Sequence, residues 1–129
     1  MAITLSVGTR LPAVYTSMGR VLLGQLPDKE LDSFLDSVEL KPSAPNAIKT
    51  KGPLKEEVLK ARLQGFAIVD QELDSGLRSV AVPVYTSSNV LLGALNISTN
   101  AARVDMDTLM TVYLPRLQDV AARVKLTTQ

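Results

Sequence analysis

Two β-type runs, Gly76 to Tyr85 and Val90 to Thr99, flank the polar turn Ser87-Ser88-Asn89 and demand a hairpin. With the turn centred on Ser87-Ser88, Tyr85 faces Val90, Ala81 faces Ala94, and Ser79 faces Asn96. Successive side chains of a strand point to opposite faces, so this hairpin has two unlike sides. Val80, Val82, Val84, Leu91, Leu95 and Ile97 make a bulky side suited to packing under a helix. Ser79, Ala81, Ala94, Asn96 and Ser98 make a side that is small or polar and carries no charge. An ordinary solvated face would be rich in Lys, Glu and Thr. The small side reads equally as the floor of a cavity with a few placed hydrogen-bonding groups, or as a half-exposed face capped by a loop.

The partner for the bulky side is the final segment, Val104 to Lys125, which reads as a long helix. Met106, Met110, Tyr113, Leu117, Val120 and Val124 mark its buried stripe, and Pro115 is expected to kink it. Upstream, Ala2 to Val7 favours a strand closed by Gly8, and Leu11-Pro12 opens a loop. Thr16 and Ser17 cap a short helix running to about Gln25. Pro27-Asp28 starts a second helix, with Leu31, Phe34 and Leu35 on one face. Lys41 to Gly52 reads as an exposed loop. Gly52-Pro53 suits the start of a third helix, Leu54 to Gln64, which ends at Gly65 and pairs Glu56 with Lys60. Phe66 to Val69 is a short strand. The fold class is α+β, an antiparallel sheet with flanking helices.

Composition narrows the chemistry. The chain has 129 residues, one domain's worth, with neither cysteine nor histidine. Disulfide scaffolds, thiolate or imidazole metal sites, Ser-His-Asp triads and cysteine nucleophiles are therefore excluded. Fourteen basic against thirteen acidic residues give a net charge of +1, which exerts no strong pull on nucleic acid or acidic lipid. No apolar run approaches the roughly 20 residues of a membrane-spanning helix. Met1 to Val7 lacks the pattern of a signal peptide, so a cytoplasmic protein is expected.

Three places could carry chemistry. The small side of the hairpin is one, and the helix start around Ser17, Met18 and Gly19, within Leu11 to Arg20, is a second, whose free amides and partial positive charge suit a carboxylate. The competing reading is a capped helix in which Gly19 permits close packing. Ser17 with Arg20 has the spacing of a Ser-x-x-Lys nucleophile, but a guanidinium does not give up its proton, so Arg20 is no base. Asp70-Gln71-Glu72-Leu73-Asp74 could form an oxygen-only site for Mg²⁺ or Ca²⁺. Its spacing matches no calcium loop, and Asp70 or Glu72 pairing with Arg78 explains it more simply.

Gly8-Thr9-Arg10-Leu11-Pro12, Thr16-Ser17-Met18-Gly19-Arg20-Val21-Leu22-Leu23, and Asp70-Gln71-Glu72 followed by Gly76-Leu77-Arg78-Ser79-Val80-Ala81-Val82-Pro83 stand in one order along nearly the whole chain. Together with Asn96-Ile97-Ser98 they resemble the effector-binding domain of IclR-family bacterial transcriptional regulators, closest to the branch governing aromatic-acid catabolism, such as protocatechuate and p-hydroxybenzoate regulators. The resemblance implies a GAF-like fold enclosing a small-molecule pocket. Its pocket positions would be Ser17, Met18, Gly19, Val69, Ser79, Asn96 and Ser98, and the hairpin geometry adds Ala81 and Ala94. It implies an aromatic-acid effector, a homo-oligomer (dimer or tetramer), no cofactor, and DNA contact only through an N-terminal winged helix-turn-helix domain that nothing in this sequence resembles. The domain itself is expected to be truncated at its N-terminus. Two other functions compete: a structural dimerisation domain without ligand, and a histidine-free enzyme using Asp70 or Glu72.

Overall fold

In the computed structural model, which describes residues 12–128, a 3₁₀ turn (Ala13–Tyr15) leads into three helices. These are α1 (Ser17–Gly24), α2 (Asp28–Ser37) and α3 (Lys51–Gln64). Strands β1 (Ala67–Asp70), β2 (Leu77–Tyr85) and β3 (Leu91–Asn100) follow, and the chain closes with α4 (Met106–Thr108), a π-helical turn (Leu109–Tyr113) and α5 (Leu114–Thr127). The expected strand Ala2 to Val7 lies outside the described residues. The sheet is antiparallel throughout, in the order β1-β2-β3. Among the described residues, no helix is long and apolar enough to cross a membrane.

The hairpin register differs from the expected one by two residues. Ser79 pairs with Ser98, Ala81 with Asn96, and Val82 with Leu95. A slip of two preserves every side chain's face, whereas a slip of one would have exchanged the faces. An irregularity between Val84 and Tyr85 sets Tyr85 opposite Leu91, so Leu91 leaves the bulky side and is exposed. Val80 and Val82 pack with Leu109, Leu114 and Leu117, with Leu95 and Ile97 beside them. This is the burial that the bulky side required.

The small side meets helices as well. Ala81 is fully buried against Val21 of α1, Ala61 of α3 and Ala67 of β1, with Ala94 packed on the group. Small side chains here let α1 approach the sheet closely. The remaining core joins Tyr15, Leu23, Leu31, Leu35, Leu54 and Val58 among the helices.

Three local expectations are corrected. Helix α3 begins at Lys51 with Thr50 as its cap residue, so Gly52 and Pro53 sit inside its first turn, where no intrahelical donor is required of proline. Glu56 and Lys60 do not form an ion pair; Lys55 instead meets Asp32 at 2.6 Å. The segment 41–50 is not wholly exposed, because Ala44 and Ala47 are buried.

The final helix accommodates Pro115 through the π turn: Leu114 N–H reaches back to the Leu109 carbonyl, five residues away. That turn inserts one extra residue and rotates the stripe, which becomes Leu109, Leu114 and Leu117. Met110 and Val120, expected inside, are exposed.

Candidate functional site

The start of α1 is built by Thr16. Its backbone is extended, its Oγ1 accepts the Gly19 N–H at 3.0 Å, and its carbonyl accepts the Arg20 N–H at 3.1 Å. The Gly19 amide is thus engaged within the helix cap. Those of Ser17 and Met18 precede the first intrahelical bond and have no acceptor among the described residues. Gly19 is a packing position: an added Cβ would fall on the Ala13 carbonyl.

Beneath this helix start, on the small side of the sheet, lies a cavity of about 220 Å³. Thr16, Ser17 and Met18 form its roof, Ser79 its floor, and Asn96 and Ser98 its outer side. Tyr15, Val69, Leu73 and Leu77 supply apolar walls. Ser17 and Ser79 are buried, while Asn96 and Ser98 are exposed and mark the open end. Asn96 Nδ2 donates to Ser98 Oγ at 3.0 Å, so these two side chains are held together at the exposed side of the cavity. Among the described residues, no lysine or arginine lines the cavity.

Six of the nine expected site residues therefore converge: Ser17, Met18, Val69, Ser79, Asn96 and Ser98. Gly19, Ala81 and Ala94 do not reach the cavity, because the close approach that their small size permits is filled by the 3₁₀ turn and by α1 itself. Tyr15, Thr16, Leu73 and Leu77 were missed. For the two leucines a signal existed: they are the apolar residues of an otherwise polar segment, flanking Asp74-Ser75-Gly76.

Next to the cavity, Arg20 is buried at 1% exposure and holds a fork to Glu72, with Nη1–Oε2 and Nη2–Oε1 both at 2.7 Å. Its Nε donates to the Val14 carbonyl at 2.9 Å. Glu72 Oε1 also accepts the Ile48 N–H at 3.2 Å, and the Tyr15 hydroxyl donates to the Ile48 carbonyl at 2.7 Å. Burial pushes the Tyr15 phenol above its ordinary value, the Glu72 carboxylate adds to that and Arg20 opposes it, so the hydroxyl keeps its proton at neutral pH.

The acidic segment is divided in the same way. Asp70 Oδ1 meets Arg78 Nε at 2.9 Å, the pairing expected for it. Glu72 faces Arg20 instead of Arg78, a contact between positions 52 residues apart that no local pattern announces. Among the described residues, no group of three acidic side chains is placed to hold a metal ion.

Comparison with known proteins supplies the lineage. Residues 1–126 match the family described as bacterial transcriptional regulator IclR C-terminal. The Pca regulon regulatory protein of Pseudomonas putida is 43% identical over 117 residues, which covers 91% of this chain and 40% of that protein. The C-terminal domain of the Escherichia coli transcriptional regulator KdgR superposes with a TM-score of 0.82 at 30% identity, covering 92% of this chain and 72% of that one. The inducer-binding domain of the PobR transcription factor from Acinetobacter, a double mutant in complex with 3-hydroxybenzoic acid, superposes with a TM-score of 0.88 at 28% identity, covering 93% and 69%. This chain thus spans well under half the length of the curated relative. The match along nearly all of its residues, in sequence and in fold, makes the chain a member of the IclR family of bacterial transcriptional regulators, corresponding to that family's C-terminal domain.

Proposed function

We propose that residues 1–129 form the ligand-sensing domain of a transcriptional regulator and that the cavity takes a small aromatic carboxylic acid. The observation that carries this reading is the cavity itself: apolar walls, a few polar side chains, and a helix start above them. At about 220 Å³ it is smaller than the roughly 300–1,000 Å³ that drug-sized ligands occupy, and a single substituted ring suits it. The described lining offers the carboxylate neutral donors, the amides of Ser17 and Met18, assisted by the helix dipole. Ser79, Asn96 and Ser98 serve ring hydroxyls. The ring lies between Tyr15 and Leu73 rather than over Ala81 and Ala94.

On this reading the domain is not an enzyme; it biases its parent protein between states of different DNA affinity by binding one of them better. The parent acts as a homo-oligomer, and DNA contact belongs to a separate winged helix-turn-helix domain of the kind the family carries. With a net charge of +1, this chain alone is expected to release an operator duplex at physiological salt; sequence-specific retention in a gel-shift assay would contradict that.

Calorimetry with 3-hydroxybenzoate and 4-hydroxybenzoate tests the ligand. Asn96→Leu removes a polar group from the outer side of the cavity and should weaken binding about ten-fold, the loss of one good hydrogen bond to a charged or hydroxyl group. Lys60→Ala, on α3 and outside the cavity lining, should leave affinity unchanged. Equal affinities for wild type and both variants would place the ligand site outside this cavity, and no heat with any benzoate would favour the structural dimerisation domain.

A further inference from the structure

The segment 41–50 has no regular secondary structure and is mostly exposed, yet it is fastened along its length to the residues that precede and include a cavity wall. Ser43 Oγ donates to the Leu73 carbonyl at 3.2 Å, Asn46 Nδ2 reaches the Asp70 carbonyl at 3.5 Å, and Ile48 N–H donates to Glu72 Oε1 at 3.2 Å. From the other side, the Tyr15 hydroxyl holds the Ile48 carbonyl. Both polar groups of the Ile48 backbone are thus bound by residues at the cavity, one by a wall residue and one by the neighbour of a wall residue.

Arg20 ties these holders together. Its guanidinium clasps Glu72, next in sequence to the wall residue Leu73, and its Nε clasps Val14, next to the wall residue Tyr15. A ring between Tyr15 and Leu73 would press on residues adjacent to both ends of this clasp. A buried pair of charges is a poor way to gain stability, because apolar side chains of the same volume usually do as well or better. What charges do provide is a fixed mutual orientation, with fork geometry that tolerates little displacement.

We propose that Arg20 and Glu72 are positioning residues of the cavity, and that through them and Tyr15 its occupancy tightens the segment 41–50. That segment then becomes the surface on which an occupied domain differs from an empty one. The proposal rests on the cavity being the ligand site, and its test separates the two.

The chain has no cysteine, so Asn96→Cys is the sole thiol, and it stands at the open end of the cavity. Labelling it with benzyl methanethiosulfonate tethers a ring there without relying on the affinity of any free acid. Hydrogen exchange is then measured by NMR at the Ala47 and Ile48 amides, with the Asn89 amide in the distant hairpin turn as reference. The ring should slow exchange at Ala47 and Ile48 about five-fold or more, the lower end of ordinary coupling between sites, and leave Asn89 unchanged. In the Tyr15→Phe and Glu72→Gln backgrounds the slowing should shrink to less than half. If Glu72 were only structural, its substitution would lower global stability and leave the response to the ring intact. Unaltered exchange in the labelled chain, or the same slowing in Tyr15→Phe, overturns the relay. Binding of free hydroxybenzoates, read by calorimetry, fails or succeeds independently.

Discussion

Glu72→Ala is expected to cost about 3–5 kcal/mol of folding free energy, because it leaves the Arg20 guanidinium buried without its partner. Against a typical total of about 5–15 kcal/mol for a domain, that is enough to leave much of the protein unfolded at moderate urea. The loss arises from the stranded charge: the fork contributes two of the hydrogen bonds that Arg20 makes, and Arg20 itself is almost wholly shut off from the solvent that could replace them. Two further variants identify that cause. Arg20→Met combined with Glu72→Leu removes both charges at similar volume and should recover most of the stability. Arg123→Ala breaks the pair with Asp119, whose side chains are 75% and 59% exposed, and should leave stability nearly unchanged. Urea unfolding midpoints decide the matter. A Glu72→Ala loss as small as that of Arg123→Ala would mean that the guanidinium finds water or another acceptor in the folded protein.

Gly19→Ala is the second large effect. The new Cβ would fall inside van der Waals contact with the Ala13 carbonyl oxygen and 2.6 Å from its carbon, and these are backbone atoms that no rotamer change can move aside. Helix α1 must separate from the 3₁₀ turn, which also disturbs Tyr15 and Thr16 in the cavity wall. The expected cost is about 3 kcal/mol, the upper part of the range for overpacking, and it overrides the gain of up to about 1 kcal/mol that alanine brings to a helix. Gly52→Ala is the matched comparison. It lies in the first turn of α3 with open space around it, so it should be neutral or slightly stabilising. A thermal melt of the two variants distinguishes them, and Gly19→Ala should also lose hydroxybenzoate binding. If both alanines raised the melting temperature, the close approach of α1 to the turn would not be essential to the fold.

These effects concern residues whose importance was legible to different degrees. The small side chains of β2 and β3 pointed to a cavity, and Ser79, Asn96 and Ser98 do line one. Ala81 and Ala94 belong to the same alternating pattern, yet their smallness serves the approach of α1. A small residue is consistent with either use, since it records only that something comes near. Likewise, Gly19 was weighed as both an anion-binding and a packing position, and the proximity of Ala13 decides for packing. The stripe of the final helix was misread at Met110 and Val120, on either side of Pro115, because periodicity assumes 3.6 residues per turn, and the π turn adds a residue that the pattern does not reveal.

What the sequence determined by itself is whatever depends on neighbours along the chain. Alternation assigned most hairpin side chains to their faces and survived a two-residue error of register, because the pleat repeats every two residues. The cap types Thr16 and Gly65 marked the start of α1 and the end of α3, since capping is a contact within one turn. The tertiary structure alone decided which small residues face empty space, which carboxylate meets Arg20, and how the segment 41–50 is held. The Arg20–Glu72 contact spans 52 positions, and Tyr15 reaches across 33 to Ile48. Such contacts are chosen by the packing of α1 over the sheet, where desolvation makes each buried polar group find a partner wherever the chain happens to bring one.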